Sequence, residues 1–562
     1  MNKVVSIARI ISVIFPLFFV EVSYAENLSD QVSRLIGERI RASELSPKIN
    51  CGDGLSCESV ILPKFYTERE YRPAWSDDDG PIPYVKDLLK VIYTAYHEGL
   101  NPEDYHPGKI EALISELHER RIKGEPIDVV KLTDLDLMLT DAFLLYASHL
   151  FEGRVDHQNV YPDWVVNQRS TDLTAVLRYA LESGEIESSL VDLEPSYKGY
   201  ARLKEKLNVY LGIAKKGGWP LIPKGSKMQQ GSHGKRVAIL RQRLIDSSDL
   251  DSTATGKNNI FDCKLEGAIR RFQKRYGLQV DGKVGRSTID ALNVPVEVRI
   301  RQIALNMDRI RWLADDWEKR YIFVNIADFR LEVVEDEKTI LEMKIIAGKG
   351  EQQTCVLSSD MTYLELNPFW RVPDGIAGRE ILPQVKKNTR YLAEKRIKVF
   401  QDWADDGKEL SPKKVKWSRV KASDLGYKFR QDPGPLNPLG RIKFIFPNEC
   451  EIYLHDTPAR HLFGRSRRDF SHGCIRIEKP IELATYLLQN KETWTRKKIL
   501  DEIRTEKRQV VMLPEPISVH IFYGTAWVDS GGYLQFRDDI YHVDEIPYEL
   551  PVSKVRASAV SK

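Results

Sequence analysis

The residues best suited to chemistry lie in one stretch, ECEIYLHDTPARHLFGRSRRDFSHGCIRIEKP, residues 449–480. Cys474 follows Ser471-His472-Gly473 and precedes Ile475-Arg476-Ile477, and His455 stands nineteen residues before it. A cysteine nucleophile needs a base to make thiolate and hydrogen-bond donors to hold the oxyanion of a tetrahedral intermediate. His455 is read as the base. Gly473, lacking a side chain, would let the backbone N–H groups of Gly473 and Cys474 approach a reacting carbonyl. His472, two residues from the thiol, is the rival base, its other role being to orient the loop. In a strand Glu451–His455, alternation puts Tyr453 and His455 on one face and Cys450, Ile452 and Leu454 on the other. Tyr453 then walls the cleft, and Cys450 reads as a core thiol. Arg476, and less centrally Arg468, are candidates to bind substrate carboxylates through bidentate pairs, the alternative for each being a structural ion pair. No metal site is predicted. His455, His461, His472 and Cys474 match neither Cys-x-x-Cys nor His-Glu-x-x-His spacing, and only one thiolate is near. A papain-like order is also excluded, because His precedes Cys here.

Several elements must position these groups. Short Val- and Ile-rich runs at 321–326, 330–335 and 343–348, separated by turn signals, read as strands of a β-rich domain. Residues 373–435 interrupt it with weak strand signals and a basic excess, seven basic residues against one acidic within 411–430. This is an insertion that either covers the site or forms a solvated surface segment. Strand signal resumes at Arg441. A helix follows Ala484, and a hairpin pairs 519–528 with 533–536. Upstream, 65–210 is mainly helical, with helices expected over 83–98, stopped by Gly99, and over 134–151, ending at Gly153. It holds no catalytic constellation and reads as scaffold. Residues 217–234 form a Gly- and Pro-rich linker. A small stand-alone three-helix module follows, built on Val237, Leu240 and Leu244, then Leu265, Ala268, Ile269 and Phe272, then 285–292.

At 562 residues the chain is long enough for three or four domains. Hydrophobic residues at 42% and charged residues at 29% suit folded cores rather than disorder. The net charge of +3 gives no general drive toward nucleic acid, which is excluded as a partner. Lys3 and Arg9, an apolar run from Ile10 to Val20 and Ser23-Tyr24-Ala25 read as a secretory signal cleaved near Ala25. The run is too short to span a bilayer, for which about 20 apolar residues are needed. In an oxidising compartment Cys51 and Cys57, separated by a Gly-containing turn, are expected to form a local disulfide. Cys263, Cys355 and Cys450 are left without an assigned partner.

The segments YLHDTP and SHGCIRIEKP resemble the active-site signature of the L,D-transpeptidases. Their flanks LNPFWRVPDGIAGREILP, FRQDPGPLNPLGRIKFIFPN and HIFYGTAW resemble the large multidomain periplasmic branch of that family. FYTEREYRPAW (65–75) resembles that branch's scaffold, and 228–294 resembles a peptidoglycan-binding domain. Thr354-Cys355 departs from the family's usual Thr-Pro. The resemblance implies a multidomain α+β protein. Its parts would be a signal peptide (1–25), a helical scaffold (26–220), the binding module (228–294), a β-rich catalytic domain (315–495, with 373–435 as a capping insertion) and a C-terminal segment with a β-hairpin (496–562). It further implies a cofactor-free periplasmic enzyme that joins peptidoglycan tetrapeptide stems, as donor and acceptor, into 3-3 cross-links through a Cys474 thioester. Carboxypeptidase action or lipoprotein anchoring on the same residues, and an inactive wall-binding scaffold, are the alternatives. The sequence leaves the oligomeric state open.

Overall fold

The computed structural model describes residues 26–43, 49–52, 55–155, 160–161, 164–165, 169–251, 259–313, 318–402, 409–490, 493–546 and 548; the expected signal segment lies outside them. The N-terminal part is helical. Its long helix Val129–Glu152 starts where the Asp128 carboxylate accepts the N–H groups of Val130 and Lys131, and it is buried on nearly every side. Such burial requires its polar residues to be satisfied internally. Asp136 meets that need by accepting from the N–H groups of Ala74 (2.9 Å) and Trp75 (2.8 Å) and from the Tyr66 hydroxyl (2.6 Å). The expected helix over 83–98 is observed as Val85–Tyr93 followed by a tighter turn Ala95–Glu98, with Gly99 left-handed at its end. Cys51 and Cys57 are joined as a disulfide, Cα–Cα 5.7 Å.

The three helices of the small module, Lys235–Asp246, Cys263–Arg275 and Arg286–Leu292, lie where the apolar periodicity puts them. Two expectations fail here. The 217–234 linker is packed down: Trp219 is buried under the Arg243 guanidinium, 3.7 Å from the ring centroid, and Ile222 exchanges two hydrogen bonds with the Asn293 amide, 2.8 and 2.9 Å. Nor is the module self-contained, because its core continues into helix Lys198–Lys215, helix Val296–Arg311 and the C-terminal hairpin. Helix Val296–Arg311, unread from the sequence, is almost wholly buried at the junction of these parts.

The C-terminal part is built on strands β1 (Arg320–Asn325), β2 (Arg330–Glu335), β3 (Lys338–Gly348) and β4 (Leu357–Leu366). Next come β5 (Trp370–Arg371), β6 (Ile397–Phe400), β7 (Glu409–Leu410) and β8 (Lys428–Gln431). The series ends with β9 (Ile442–Ile445), β10 (Leu454–His455), β11 (Asp469–Ser471), β12 (Ile475–Ile477) and β13 (Gln509–Phe522). Nine of these form one sheet in the order β11-β3-β12-β10-β9-β4-β13-β1-β2, and β2 pairs again with β3, so the sheet closes on itself. Alternation drives the closure: Ile322, Val324, Leu331, Val333, Leu364, Phe444, Leu454, Ile475 and Val519 point inward as one core.

The insertion leaves the sheet between neighbouring strands β4 and β9. It forms its own four-stranded sheet, β7-β6-β8-β5, around Val399, Trp417 and Phe429, so it is a folded unit and not a solvated segment. The last hairpin is shorter than expected, Ala526–Val528 with Leu534–Phe536, since 519–522 belong to β13. Among the described residues no helix is long and apolar enough to cross a membrane.

Candidate active site

Strand register assembles the site. Lys443 on β9 lies opposite Glu365 on β4 and His455 on β10, and His455 lies opposite Arg476 on β12. One rung of the sheet therefore reads Glu365, Lys443, His455, Arg476. Side chains two residues apart on a strand share a face, so Tyr453 and Cys474 occupy the next rung on the same side. The expected strand over 451–455 is cut to two residues because Glu451 adopts a positive φ of 55°. The predicted face of Tyr453 and His455 survives this.

The thiol is half-buried. It is 4.0 Å from the Glu451 carbonyl oxygen, and the Tyr453 backbone N–H and hydroxyl lie beside it. Burial raises its pKa above the ordinary value, with Tyr453, Lys443 and Arg476 opposing that rise. His455 is buried, and burial, followed by the Arg476 charge, pulls its pKa down to about 3. Its Nδ1 sits 2.6 Å from the Asp456 carbonyl oxygen. A carbonyl only accepts, so Nδ1 carries the proton and Nε2 is left as the basic nitrogen. Both members of the predicted dyad are thus neutral at rest. No hydrogen bond joins them, because they stand one rung apart, a separation common before substrate closes such a contact.

Two glycines fix the backbone here. Gly440 has φ +63° and a Cβ there would lie 2.4 Å from Asp456 Oδ2, the atom that accepts the Arg441 N–H at 2.9 Å. This turn holds the Asp456 segment that orients His455. Gly473 has φ +112°, which a side chain rarely tolerates. Its carbonyl accepts from the Thr354 hydroxyl (2.7 Å), which in turn accepts from the Gly348 N–H (2.9 Å). Its own N–H donates to Ser471 Oγ at 3.3 Å, so one of the two amides expected at the oxyanion is already engaged, at long range.

The remaining candidates separate. Arg476 keeps a buried Nε with no partner, and burial lowers its pKa. Arg468 does not face the cleft: its fork donates to the carbonyls of Ile345 (3.1 Å), Phe329 (3.0 Å), Arg465 (2.6 Å) and Ser466 (3.4 Å). The substrate role expected of it is therefore corrected to a structural one. His472 is exposed and its Nε2 lies 3.0 Å from Glu380 Oε1 of the insertion, which ties the nucleophile loop to the cap and takes His472 away from the thiol. Cys450 is not a free core thiol and Cys355 is not a spare one. They form a disulfide across 95 residues with Cα–Cα 6.6 Å. Sequence reasoning missed Lys443, although the alternation of Ile442 and Phe444 inward with Lys443 outward was there to be read. It also missed Thr354 and Glu380. Among the described residues no group of three His, Cys, Asp or Glu is placed to hold a metal ion.

Residues 319–510, which contain this whole site, match the family description of the L,D-transpeptidase catalytic domain. The chain thus carries an L,D-transpeptidase catalytic domain. Residues 61–207 match a scaffold domain and 233–292 a peptidoglycan-binding domain. A Haemophilus influenzae protein provisionally named an L,D-transpeptidase is 31% identical over 244 residues, 43% of this chain. The match spans about half, 48%, of that relative's length. Among solved structures, an L,D-transpeptidase from Xylanimonas cellulosilytica is 15% identical, covering 53% of this chain and 99% of that one, with a TM-score of 0.17. One from Stackebrandtia nassauensis is 16% identical, covering 54% and 96%, with a TM-score of 0.19. Scores this low carry no argument about fold.

Proposed function

We propose that this protein forms 3-3 cross-links in peptidoglycan, in the periplasm, after cleavage of its signal peptide. In the first step the Cys474 thiol adds to the carbonyl of the third residue of a tetrapeptide donor stem, and its proton passes to His455 Nε2. The C–N bond then breaks, His455 returns the proton to the departing amine, D-Ala leaves, and a thioester remains. In the second step the side-chain amine of a neighbouring stem loses a proton to His455 and attacks the thioester, restoring the thiol. The Cys474 amide, with the Tyr453 hydroxyl beside it, is the oxyanion donor set. Arg476 binds a stem carboxylate.

The observation that carries this reading is the shared sheet face of Cys474, Tyr453, His455 and Arg476, with a neutral imidazole whose tautomer leaves Nε2 basic. The peptidoglycan-binding module supports the wall as substrate. The test is to incubate residues 26–562 with disaccharide tetrapeptide and to analyse products by mass spectrometry, with Cys474→Ala as control. A cross-linked dimer lacking one D-Ala is expected from the wild type and nothing from the variant. Tripeptide alone would assign carboxypeptidase action, and no product at all would sink the enzymatic reading.

A further inference from the structure

Lys443 is the one cation on the catalytic rung that neither the motif nor the proposed mechanism uses. It lies directly opposite His455 in the β9–β10 register. Its ammonium leans toward the thiol rung and sits 3.7 Å from the centroid of the Tyr453 ring. The nearest acid in register, Glu365, is already held by Arg508 at 2.6 and 3.3 Å. Among the described residues no ion pair joins Lys443, so a half-buried cation beside the base is left for an anion from outside the chain.

Bond connectivity says which anion. When His455 hands its proton to the departing nitrogen, that nitrogen must be within hydrogen-bond reach of the ring. In an α-amino acid the carboxylate carbon is two bonds from the nitrogen, so in a stem whose carbonyl sits at Cys474 beside β12 and whose departing nitrogen sits at His455 on β10, the carboxylate falls on the far side of His455, toward β9. Lys443, on β9, has that position; Arg476, on the thiol's own strand β12, remains for the rest of the stem. We propose that the Lys443 ammonium anchors the terminal carboxylate of the departing D-residue and so makes this enzyme selective for stems that end at that residue. This rests on the transpeptidase reading above. Lys443 transfers no proton: it is a specificity residue, and the carboxylate stays ionised throughout.

The test compares two tetrapeptide donors, one with a free terminal carboxylate and one with that carboxylate amidated, on residues 26–562. The wild type should prefer the free acid by about 10- to 100-fold in kcat/KM, the range expected for a charge-assisted pair. Lys443→Met should lose most of that preference by slowing only the free acid, mainly through KM, and Lys443→Arg should restore part of it. Wild-type turnover of both donors at equal rates overturns the assignment while leaving the transpeptidase reading intact, and needs no variant to fold. Equal slowing of both donors by Lys443→Met, alongside an altered rate of Cys474 alkylation by iodoacetamide, would make Lys443 a thiol-tuning group instead. No thioester from either donor overturns both proposals.

Discussion

Two places in this molecule take cations out of water, fully at the helical junction and partly at the catalytic face, and they treat them differently. At the helical junction Arg309 and Arg311 each have an acid. Arg309 meets Asp544 at 2.6 Å, and Arg311 meets Asp308 at 3.1 Å while also donating to the Glu98 carbonyl and the Tyr200 hydroxyl. On the catalytic face Lys443 and Arg476 pair with no acid among the described residues, although Glu365 is one strand from Lys443. Removing a charge from water without a counterion is costly. The junction meets that cost within the chain and gains a fixed arrangement of scaffold, module and barrel. The cleft leaves it to be met by substrate. Arg468 shows that a buried guanidinium alone does not mark a site, since its whole fork is satisfied by backbone carbonyls.

The largest effect expected from breaking this contrast is on the junction. Asp308 is fully buried, accepts from two backbone N–H groups as well as Arg311, and leaves a buried cation unpaired when neutralised. Asp308→Asn should lower stability by about 3–5 kcal/mol, read as a denaturant midpoint shift, with activity per folded molecule unchanged. Arg476→Met should do the reverse, holding or raising the midpoint while activity falls. A destabilised Arg476→Met with full activity would erase the distinction.

Next in size is the covalent tie behind the site. Cys355 adjoins Thr354, which holds the Gly473 carbonyl, and Cys450 adjoins Glu451, whose carbonyl lies by the thiol. Replacing both cysteines by Ser should cost about 2–4 kcal/mol of stability and slow the chemical step. Unchanged acylation rates would show that the tie serves the barrel alone.

The smallest effect sharpens the electrostatics of the cleft. Burial holds the Cys474 pKa above its ordinary 9.0 despite the two cations, so thiolate forms only as pH rises past that value. The rate of Cys474 alkylation should therefore keep climbing beyond pH 9. Burial also keeps His455 neutral above about pH 3. A plateau near pH 6–7 would mean a thiolate–imidazolium pair instead.

How far the sequence disclosed all this depended on how each element is buried. Strands β1 to β3 were legible because their apolar residues alternate on one inward face. Helix Val296–Arg311 was not, because Gln302, Asn306, Asp308, Arg309 and Arg311 are polar residues buried only by virtue of distant partners. The cap strands were hidden by their shortness and basic surroundings. At the site, His455 and Tyr453 were placed on one face by period-two reasoning, whereas Cys474 was legible as a residue type in its motif and joins that face only through the β10–β12 register. Lys443 required the β9–β10 register, and the Cys355–Cys450 pairing required knowing that residues 95 apart meet. Arg468 was misread because an arginine near a nucleophile looks the same in sequence whether it faces substrate or carbonyls.

The most direct test is the intact mass of the protein, residues 26–562, quenched in acid seconds after mixing with a disaccharide tetrapeptide. An adduct equal to the donor minus D-Ala is expected, mapped to Cys474 and absent in Cys474→Ala. Cross-linked product formed with no such adduct, or an adduct that persists in Cys474→Ala, would contradict a Cys474 thioester.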